Sequence, residues 1–216
     1  MQSLRGHLPD LTVSIKSFDY SCIAVTETWL PASVVTETTN INKYNFHSSP
    51  RCSAYSMDNT TLQSIKNQQH GGVGIYCQEH LEYDILDIPN VNLECICCHF
   101  TTNDIIVVVL YRPPTYPLSL FKNHVKLLSD FLNTRSDNIV ILGDFNHNEL
   151  KSLSVSTFMA SLGYLQSVLE PTTENGTLID HVYIKQSSNY LIDAKVMPVY
   201  FSTHEAIHCT FTKHDK

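Results

Sequence analysis

A small set of acidic and polar side chains lies at the ends of apolar, strand-like runs of this sequence. The set consists of Glu27, Asp144, Asn146, Asp180 and His204. In an extended segment, Asp144 and Asn146 project to the same side about 6–7 Å apart, close enough to contact one phosphate or one hydrated metal ion. The carboxylates of Glu27 and Asp144 suit a hard divalent cation such as Mg²⁺, which prefers oxygen ligands. These residue types predict a cation or phosphate site, provided that the fold gathers them.

Each of these residues also has a purely structural explanation when it is considered alone. Gly-Asp at a strand end is a common turn, and Glu27 could be a solvated carboxylate at the rim of the protein. Asp180 is more informative, because a charged residue within an apolar, strand-like run needs a partner if it is buried. His204 or His181 could supply that partner. The separate signals leave both interpretations open.

The surrounding pattern predicts the elements that must position these side chains. Apolar residues at helical spacing predict helices over 9–18, 121–132 and about 152–162. Apolar or alternating runs predict strands over 21–25, 72–77, 83–88, 93–100, 104–111, 138–142, 165–169, 177–185, 191–199 and 206–212. The polar segment 48–70 has no sustained period and is predicted to be a long surface loop or insertion. With no repeat and no linker, we expect one α/β domain over 1–216, with two packed sheets and flanking helices.

Composition and charge restrict the partners and the compartment. The formal net charge of −7 excludes binding of nucleic acid through a general basic field, so such binding would need a local basic patch or a bridging metal ion. Seven cysteines, an odd number placed mostly in apolar runs, indicate thiols in a reducing compartment. No apolar leader and no run long enough to span a membrane are visible. We therefore expect an intracellular protein, cytoplasmic or nuclear, that is not secreted and does not bind a membrane.

A series of short motifs resembles, in order along the chain, the successive motifs of the endonuclease/exonuclease/phosphatase superfamily. They are Thr-Glu-Thr-Trp-Leu at 26–30, Gly-Gly-Val-Gly-Ile-Tyr at 71–76, Leu-Tyr-Arg-Pro-Pro at 110–114, Leu-Gly-Asp-Phe-Asn at 142–146, Leu-Ile-Asp at 178–180 and Ser-Thr-His at 202–204. The similarity is sharpest to the apurinic-type endonuclease domain of non-LTR (LINE-like) retrotransposons, in which Glu-Thr-Trp-Leu and Tyr-Arg-Pro-Pro are typical. It covers nearly the whole chain.

The resemblance implies a four-layer α/β sandwich, in which two packed mixed sheets lie between helices and the site lies at one end of the sheets. It also implies cleavage of a phosphodiester in DNA with Mg²⁺, or with Mn²⁺ in its place, leaving a 3′-hydroxyl that primes reverse transcription. A reverse transcriptase is then expected downstream in the parent element. Glu27 matches the principal Mg²⁺ ligand of the family. Arg112 would either cap a strand end or contact a backbone phosphate.

The resemblance assigns roles to the other matched residues. Tyr111 resembles a hydroxyl that orients the phosphate. Asp144 resembles the residue that aligns or deprotonates the attacking water, and Asn146 resembles a donor to the phosphate. Asp180 resembles the partner of His204, which would stabilise the charge that builds on the scissile phosphate.

Two departures from the family pattern predict reduced activity. The family motif before the histidine is Ser-Asp-His, but Thr203 occupies the aspartate position, and a hydroxyl is a poorer Mg²⁺ ligand than a carboxylate. Met1 aligns just after the first strand of the family, whose asparagine supports the metal site, so we expect that strand to be absent and its neighbours to lack backbone partners. We expect a retrotransposon-derived endonuclease domain that is folded but impaired. The alternatives are a catalytically inert remnant and a metal-dependent phosphatase or phosphodiesterase of the same superfamily.

Overall fold

The computed structural model describes residues 3–33, 38–56, 60–89 and 91–214. The helices are α1 (Leu4–Ile15), α2 (Arg51–Ala54), α3 (Thr60–Lys66), α4 (Leu118–Leu132) and α5 (Ser154–Ser161). The strands are β1 (Cys22–Thr26), β2 (Tyr44–Ser49), β3 (Val73–Gln78), β4 (Tyr83–Leu86), β5 (Glu94–Phe100), β6 (Ile105–Tyr111), β7 (Ile139–Asp144), β8 (Tyr164–Gln166), β9 (Asp180–Lys185), β10 (Tyr190–Met197) and β11 (Ala206–Lys213).

The central layer is a six-stranded sheet in the order β4-β5-β6-β7-β9-β8. Its β6–β7 pair is parallel, whereas the neighbouring β5–β6 and β7–β9 pairs are antiparallel. The register sets Asp144 beside Tyr111 on one side and beside Asp180 on the other. The sheet therefore brings three of the predicted site residues to one end of adjacent strands.

The remaining elements cover both faces of this sheet. A three-stranded sheet, β1-β3-β2, packs on one face through a shared core in which Val73 and Ile75 meet Val107 and Val109. The β10–β11 hairpin packs beside it, over Val140 and Val182. Helices α2 to α5 cover the opposite face, and α1 covers the outside of the three-stranded sheet. The layers are, in order, α1, the three-stranded sheet with the β10–β11 hairpin beside it, the six-stranded sheet, and helices α2 to α5. This order confirms the predicted four-layer α/β sandwich.

Strand β6 shows why the sequence folds in this way. Its run of branched apolar residues is buried along its whole length. Ile106 and Val108 contribute to the core under the helices, whereas Val107 and Val109 contribute to the core between the sheets. Each such side chain stabilises the fold by about 1.5–3 kcal/mol relative to an exposed one. The prediction that this strand is buried on both faces is confirmed.

The first helix and the second strand of the structure differ from the predictions. The helix predicted over 9–18 begins at Leu4 and ends at Ile15, with Pro9 inside it. Leu4 and Leu11 pack together in the core, and this burial offsets the backbone hydrogen bond that Pro9 cannot donate. The other predicted strands agree with the structure within three residues at each end, but β2 was not predicted, because its sequence is largely polar.

The prediction of a loop over 48–70 is wrong for much of that segment, which contains the end of β2 and the helices α2 and α3. Leu62 and Ile65 of α3 are buried and pack with Tyr55 in the core under the six-stranded sheet. Polar residues surround these apolar positions in the sequence and conceal their helical spacing. Residues 57–59 lie outside the described residues.

Two strand edges face one another without a partner among the described residues. Strand β1 pairs only with β3, and β11 pairs only with β10. Residues of both edges line a groove of about 330 Å³, whose floor includes Val107, Val109 and Leu142.

Two further observations concern the thiols and the helices. All seven cysteines are free thiols in the structure. Within the described ranges, every helix is too short or too polar to cross a membrane.

Candidate active site

The position of Asp144 depends on the glycine that precedes it. Gly143 has a φ of +138°, and a Cβ atom there would lie 1.9 Å from the carbonyl oxygen of Leu110. Only glycine lets β7 lie this close to β6 in that conformation. The close approach places the Asp144 carboxylate at the end of the central strand pair, where it is 4% exposed.

Asn146 holds the Asp144 carboxylate from the following loop. Its backbone N–H donates to Asp144 Oδ1 at 2.8 Å, and its side-chain Nδ2 donates to Oδ2 at 3.1 Å. The φ of Asn146 is +44°, a left-handed conformation that asparagine tolerates better than most residues. The structure thus places Asn146 against Asp144, with a second bond from Nδ2 to the carbonyl of Arg112 at 2.9 Å.

The environment of Asp144 makes its carboxyl group a weaker acid. Burial is the largest cause, and the nearby Asp180 is the next; together they raise the pKa of Asp144 to about 7. The positive charge of His204 opposes this rise. A group with a pKa near the working pH is well suited to accept a proton.

Asp180 pairs with His204. The Nδ1 atom of His204 lies 2.9 Å from Asp180 Oδ2 and 3.1 Å from Oδ1, and Thr172 donates to Oδ2 at 2.8 Å. The hydrogen bond to Asp180 is the largest cause that raises the pKa of His204. His181, the other candidate partner, is fully buried and contacts Tyr183 and two backbone carbonyls instead. The structure therefore resolves the alternative that the sequence left open.

Glu27 and Tyr111 form a second pair on the opposite side of the site. Glu27 directly follows β1 with a φ of +54°, and the Tyr111 hydroxyl donates to its Oε1. Burial and the bond to Glu27 hold the pKa of Tyr111 well above its ordinary value. Tyr111 therefore keeps its proton and acts as a hydrogen-bond donor.

Arg112 supports the loop after β7. Its guanidinium group donates to the carbonyls of Tyr116 at 2.7 Å, Asn146 at 3.0 Å and Phe145 at 3.2 Å. The residue is 8% exposed. Of the two roles considered for Arg112, these contacts favour the capping of a strand end.

The two pairs and Asp144 meet at one cleft of about 310 Å³. Glu27, Asp144 and His204 line it, together with Thr203. Asp144, Asp180 and His204 offer ligand atoms that all lie within 4.8 Å of one another. Carboxylate oxygens are the donors that a hard divalent cation prefers, so the residues fit such an ion. Glu27 and Asp144 both line the cleft, so their carboxylates supply oxygen donors to it.

Several residues of the cleft were not predicted from the sequence. They are His7, Glu174, Tyr200 and Phe201. His7 comes from α1, Glu174 comes from the turn before β9, and Tyr200 and Phe201 come from the connection between β10 and β11. No motif or period marks such positions, because only the packing of α1 and the hairpin brings them to the cleft.

The comparison with family models agrees with this architecture. The model of the Endonuclease/Exonuclease/phosphatase family matches residues 4–204. The chain belongs to this family. No curated protein matches the sequence at a significant level.

Three solved structures illustrate the likeness. The 3′ phosphatase NExo from Neisseria, bound to product DNA hairpin, is 14% identical with a TM-score of 0.68, over 98% of this chain and 96% of that one. The endonuclease domain of TRAS1, a telomere-specific non-LTR retrotransposon, is 13% identical with a TM-score of 0.67, over 96% and 91%. An AP endonuclease from Archaeoglobus fulgidus is 14% identical with a TM-score of 0.66, over 97% and 96%. At these identities the likeness establishes the fold.

Proposed function

We propose that the protein is a Mg²⁺-dependent DNA endonuclease of the retrotransposon type, with activity reduced by Thr203. The observation that carries the proposal is the meeting of Glu27, Asp144 and His204 at one cleft, with Tyr111 and Asp180 behind them. Hydrolysis of a phosphodiester needs a positioned water and a stabilised negative charge on the phosphate. The cleft holds groups suited to both tasks.

The roles follow from the surroundings of each group. A bound cation would supply Lewis-acid stabilisation of the charge on the phosphate, and Glu27 and Asp144 would hold it. Asp144 aligns the attacking water and accepts its proton. His204, kept protonated by Asp180, donates to the phosphate oxygen on which charge builds. Its Nδ1 is engaged with Asp180, so Nε2 is the atom that donates.

The retrotransposon class is supported by the motifs and by one structural neighbour. Glu-Thr-Trp-Leu and Tyr-Arg-Pro-Pro are typical of LINE-like endonuclease domains, and the TRAS1 domain has the same fold. A nick that leaves a 3′-hydroxyl would prime reverse transcription by a downstream reverse transcriptase. The net charge of −7 leaves little general attraction for DNA, so we expect weak binding.

The position of Thr203 supports the proposed reduction in activity. Thr203 lines the cleft directly before His204, and its carbonyl accepts the N–H of Glu174 at 3.1 Å. Its backbone is therefore held in place, whereas its side chain offers a hydroxyl where the family has a carboxylate. A hydroxyl adds no negative charge next to the cation or the imidazole.

Nicking of supercoiled plasmid DNA tests the proposal. With Mg²⁺ we expect slow conversion to the open circle, abolished by EDTA and reduced at least about 100-fold in Asp144→Ala, as for loss of a general base. Asp87→Ala, which removes an exposed carboxylate outside the cleft, serves as the matched control. Phosphate release from small esters without nicking would favour the phosphatase. Silence in both assays would favour the inert remnant.

A further inference from the structure

Glu94 is a fully buried carboxylate that lies outside the cleft. It begins β5, and its side chain is 0% exposed. Its Oε1 accepts Arg51 Nε at 2.7 Å and the Tyr55 hydroxyl at 2.8 Å, while Oε2 accepts the backbone N–H of Gly72. A buried ion pair commonly adds no more stability than an apolar pair of the same size. The groups that Glu94 orients explain its burial better than a gain in stability does.

The first group that Glu94 orients is the turn beside Glu27. The backbone N–H of Gly72 donates to Glu94, and the Gly72 carbonyl accepts the N–H of Thr28 at 3.2 Å. Glu27 and Trp29, on either side of Thr28, both have a φ of +54°. Such left-handed conformations cost on the order of 1–3 kcal/mol each for these residue types and persist only where the surroundings enforce them. Glu94 thus anchors the turn that holds the Glu27 backbone.

The second group is the Tyr111 ring. Tyr111 lies directly opposite Glu94 in the β5–β6 register. The Arg51 guanidinium carbon lies 5.7 Å from the centre of that ring, and its Nη1 donates to Gln68 at 3.0 Å. A Cβ atom on Gly71 would lie 2.2 Å from the guanidinium group, so Arg51 fills the space between the turn and the ring. The Glu94–Arg51 pair therefore contacts the supports of both Glu27 and Tyr111.

We propose that Glu94 is a positioning residue that sets the Glu27 carboxylate and the Tyr111 hydroxyl for cation binding. The proposal rests on the proposed function, because it takes Glu27 as a cation ligand. Glu94→Gln preserves the shape of the side chain but replaces one acceptor oxygen by an NH₂ group. Since donors face both oxygens, either orientation of the amide sets a donor against a donor. The substitution therefore breaks either the hydrogen bond from Gly72 or the hydrogen bonds from Arg51 and Tyr55.

Trp29 provides a measurement that needs no turnover. It is the only tryptophan of the chain and follows Glu27 closely in sequence. Mn²⁺ is paramagnetic and quenches nearby tryptophan fluorescence, so titration with Mn²⁺ reports occupancy of the site. We expect the half-saturating Mn²⁺ concentration to rise about 10–100-fold in Glu94→Gln, as for loss of other residues that orient metal ligands. Glu27→Gln should abolish the saturable quenching.

Two further variants complete the design. Glu149→Gln is the matched control, because Glu149 is also buried and bonded to a hydroxyl but lies outside the cleft; its midpoint should equal that of the wild type. Tyr55→Phe keeps the ring in the core while it removes one donor to Glu94, and it should raise the midpoint about threefold, as for loss of one modest hydrogen bond. Circular dichroism establishes that each variant is folded. If Glu94→Gln does not fold, the Mn²⁺ midpoint of Tyr55→Phe decides whether Glu94 has the positioning role.

The outcomes separate this proposal from the proposed function. Unchanged midpoints in folded Glu94→Gln and in Tyr55→Phe would overturn the positioning role, and nicking could still occur. The wild type could show saturable quenching, with a higher midpoint in Glu94→Gln, and yet nick no DNA. That result would support the positioning role and contradict the proposed endonuclease function. A wild type without saturable quenching would overturn the positioning role, because no cation site would exist for Glu94 to support.

Discussion

Asp180→Asn isolates the effect of the Asp180 charge on His204. Asparagine keeps the shape of the side chain and one acceptor for His204 Nδ1, but it removes the negative charge that lies 2.9 Å away. Because the bond to Asp180 is the largest cause of the raised pKa of His204, we predict that this pKa falls toward its ordinary value in the variant. The change should appear in stability even if the protein has no activity.

The magnitude follows from the distance and the exposure. Two unit charges about 4 Å apart interact by about 4 kcal/mol at an effective dielectric constant of 20 and by about 1 kcal/mol in bulk water. The side chains of His204 and Asp180 are 27% and 14% exposed, which favours the lower part of this range. We expect Asp180→Asn to lower the free energy of unfolding at pH 6 by about 1–2 kcal/mol.

The sign of the pH dependence follows from the direction of the shift. A histidine whose pKa is raised in the folded state adds stability that is present below its unfolded pKa and is lost as the pH rises through its folded pKa. Asp180→Asn should therefore lower the free energy of unfolding more at pH 6 than at pH 9. Relief of the repulsion between Asp180 and Asp144 at high pH acts in the same direction.

Urea unfolding at pH 6 and pH 9, followed by circular dichroism, measures this difference. Asp193→Asn is the control, because Asp193 pairs with Lys195 on the surface and is 63% exposed; its effect should be small and nearly the same at both pH values. An Asp180→Asn effect as large at pH 9 as at pH 6 would refute the charge pairing.

Three other changes have predicted outcomes. Gly143→Ala should lower the free energy of unfolding by at least about 3 kcal/mol, because its Cβ overlaps the Leu110 carbonyl; an unchanged midpoint of thermal unfolding would contradict the close approach of β6 and β7. Thr203→Asp should speed plasmid nicking several-fold, and an unchanged rate would show that Thr203 does not limit activity. The kcat/KM for nicking should rise with pH as Asp144 loses its proton and fall above the raised pKa of His204; a profile that does not rise on the acidic side would count against Asp144 as the base.

The parts of the fold that the sequence predicts well are those in which one period repeats over many residues. In α4, Phe121, Val125, Leu128 and Leu132 are all buried at the spacing that predicted the helix. In β6, an uninterrupted apolar run requires burial on both faces. Helices α2 and α3 escaped prediction because few apolar residues anchor them, and these lie among polar ones. Periodicity is informative only where the buried face is long enough to repeat.

The site residues were predicted through motifs, but their contacts depend on packing between distant segments. The apolar run around Asp180 required a partner without specifying His204, which lies in the connection between β10 and β11. Glu94 carries the same signal, a charged residue beside buried apolar neighbours, and that rule could have found it. Arg51 carries no such signal, because it lies in a polar segment and is buried only by tertiary contacts.

The central claim is that Glu27 and Asp144 hold one divalent cation in the cleft beside the Asp180–His204 pair. A crystal grown with Mn²⁺ and measured at the manganese absorption edge tests it directly, since the anomalous signal locates the ion without reference to activity. We predict a single strong anomalous peak in the cleft, within coordination distance of both carboxylates. A protein that binds Mn²⁺ elsewhere, or that shows an empty cleft at millimolar Mn²⁺, would contradict it.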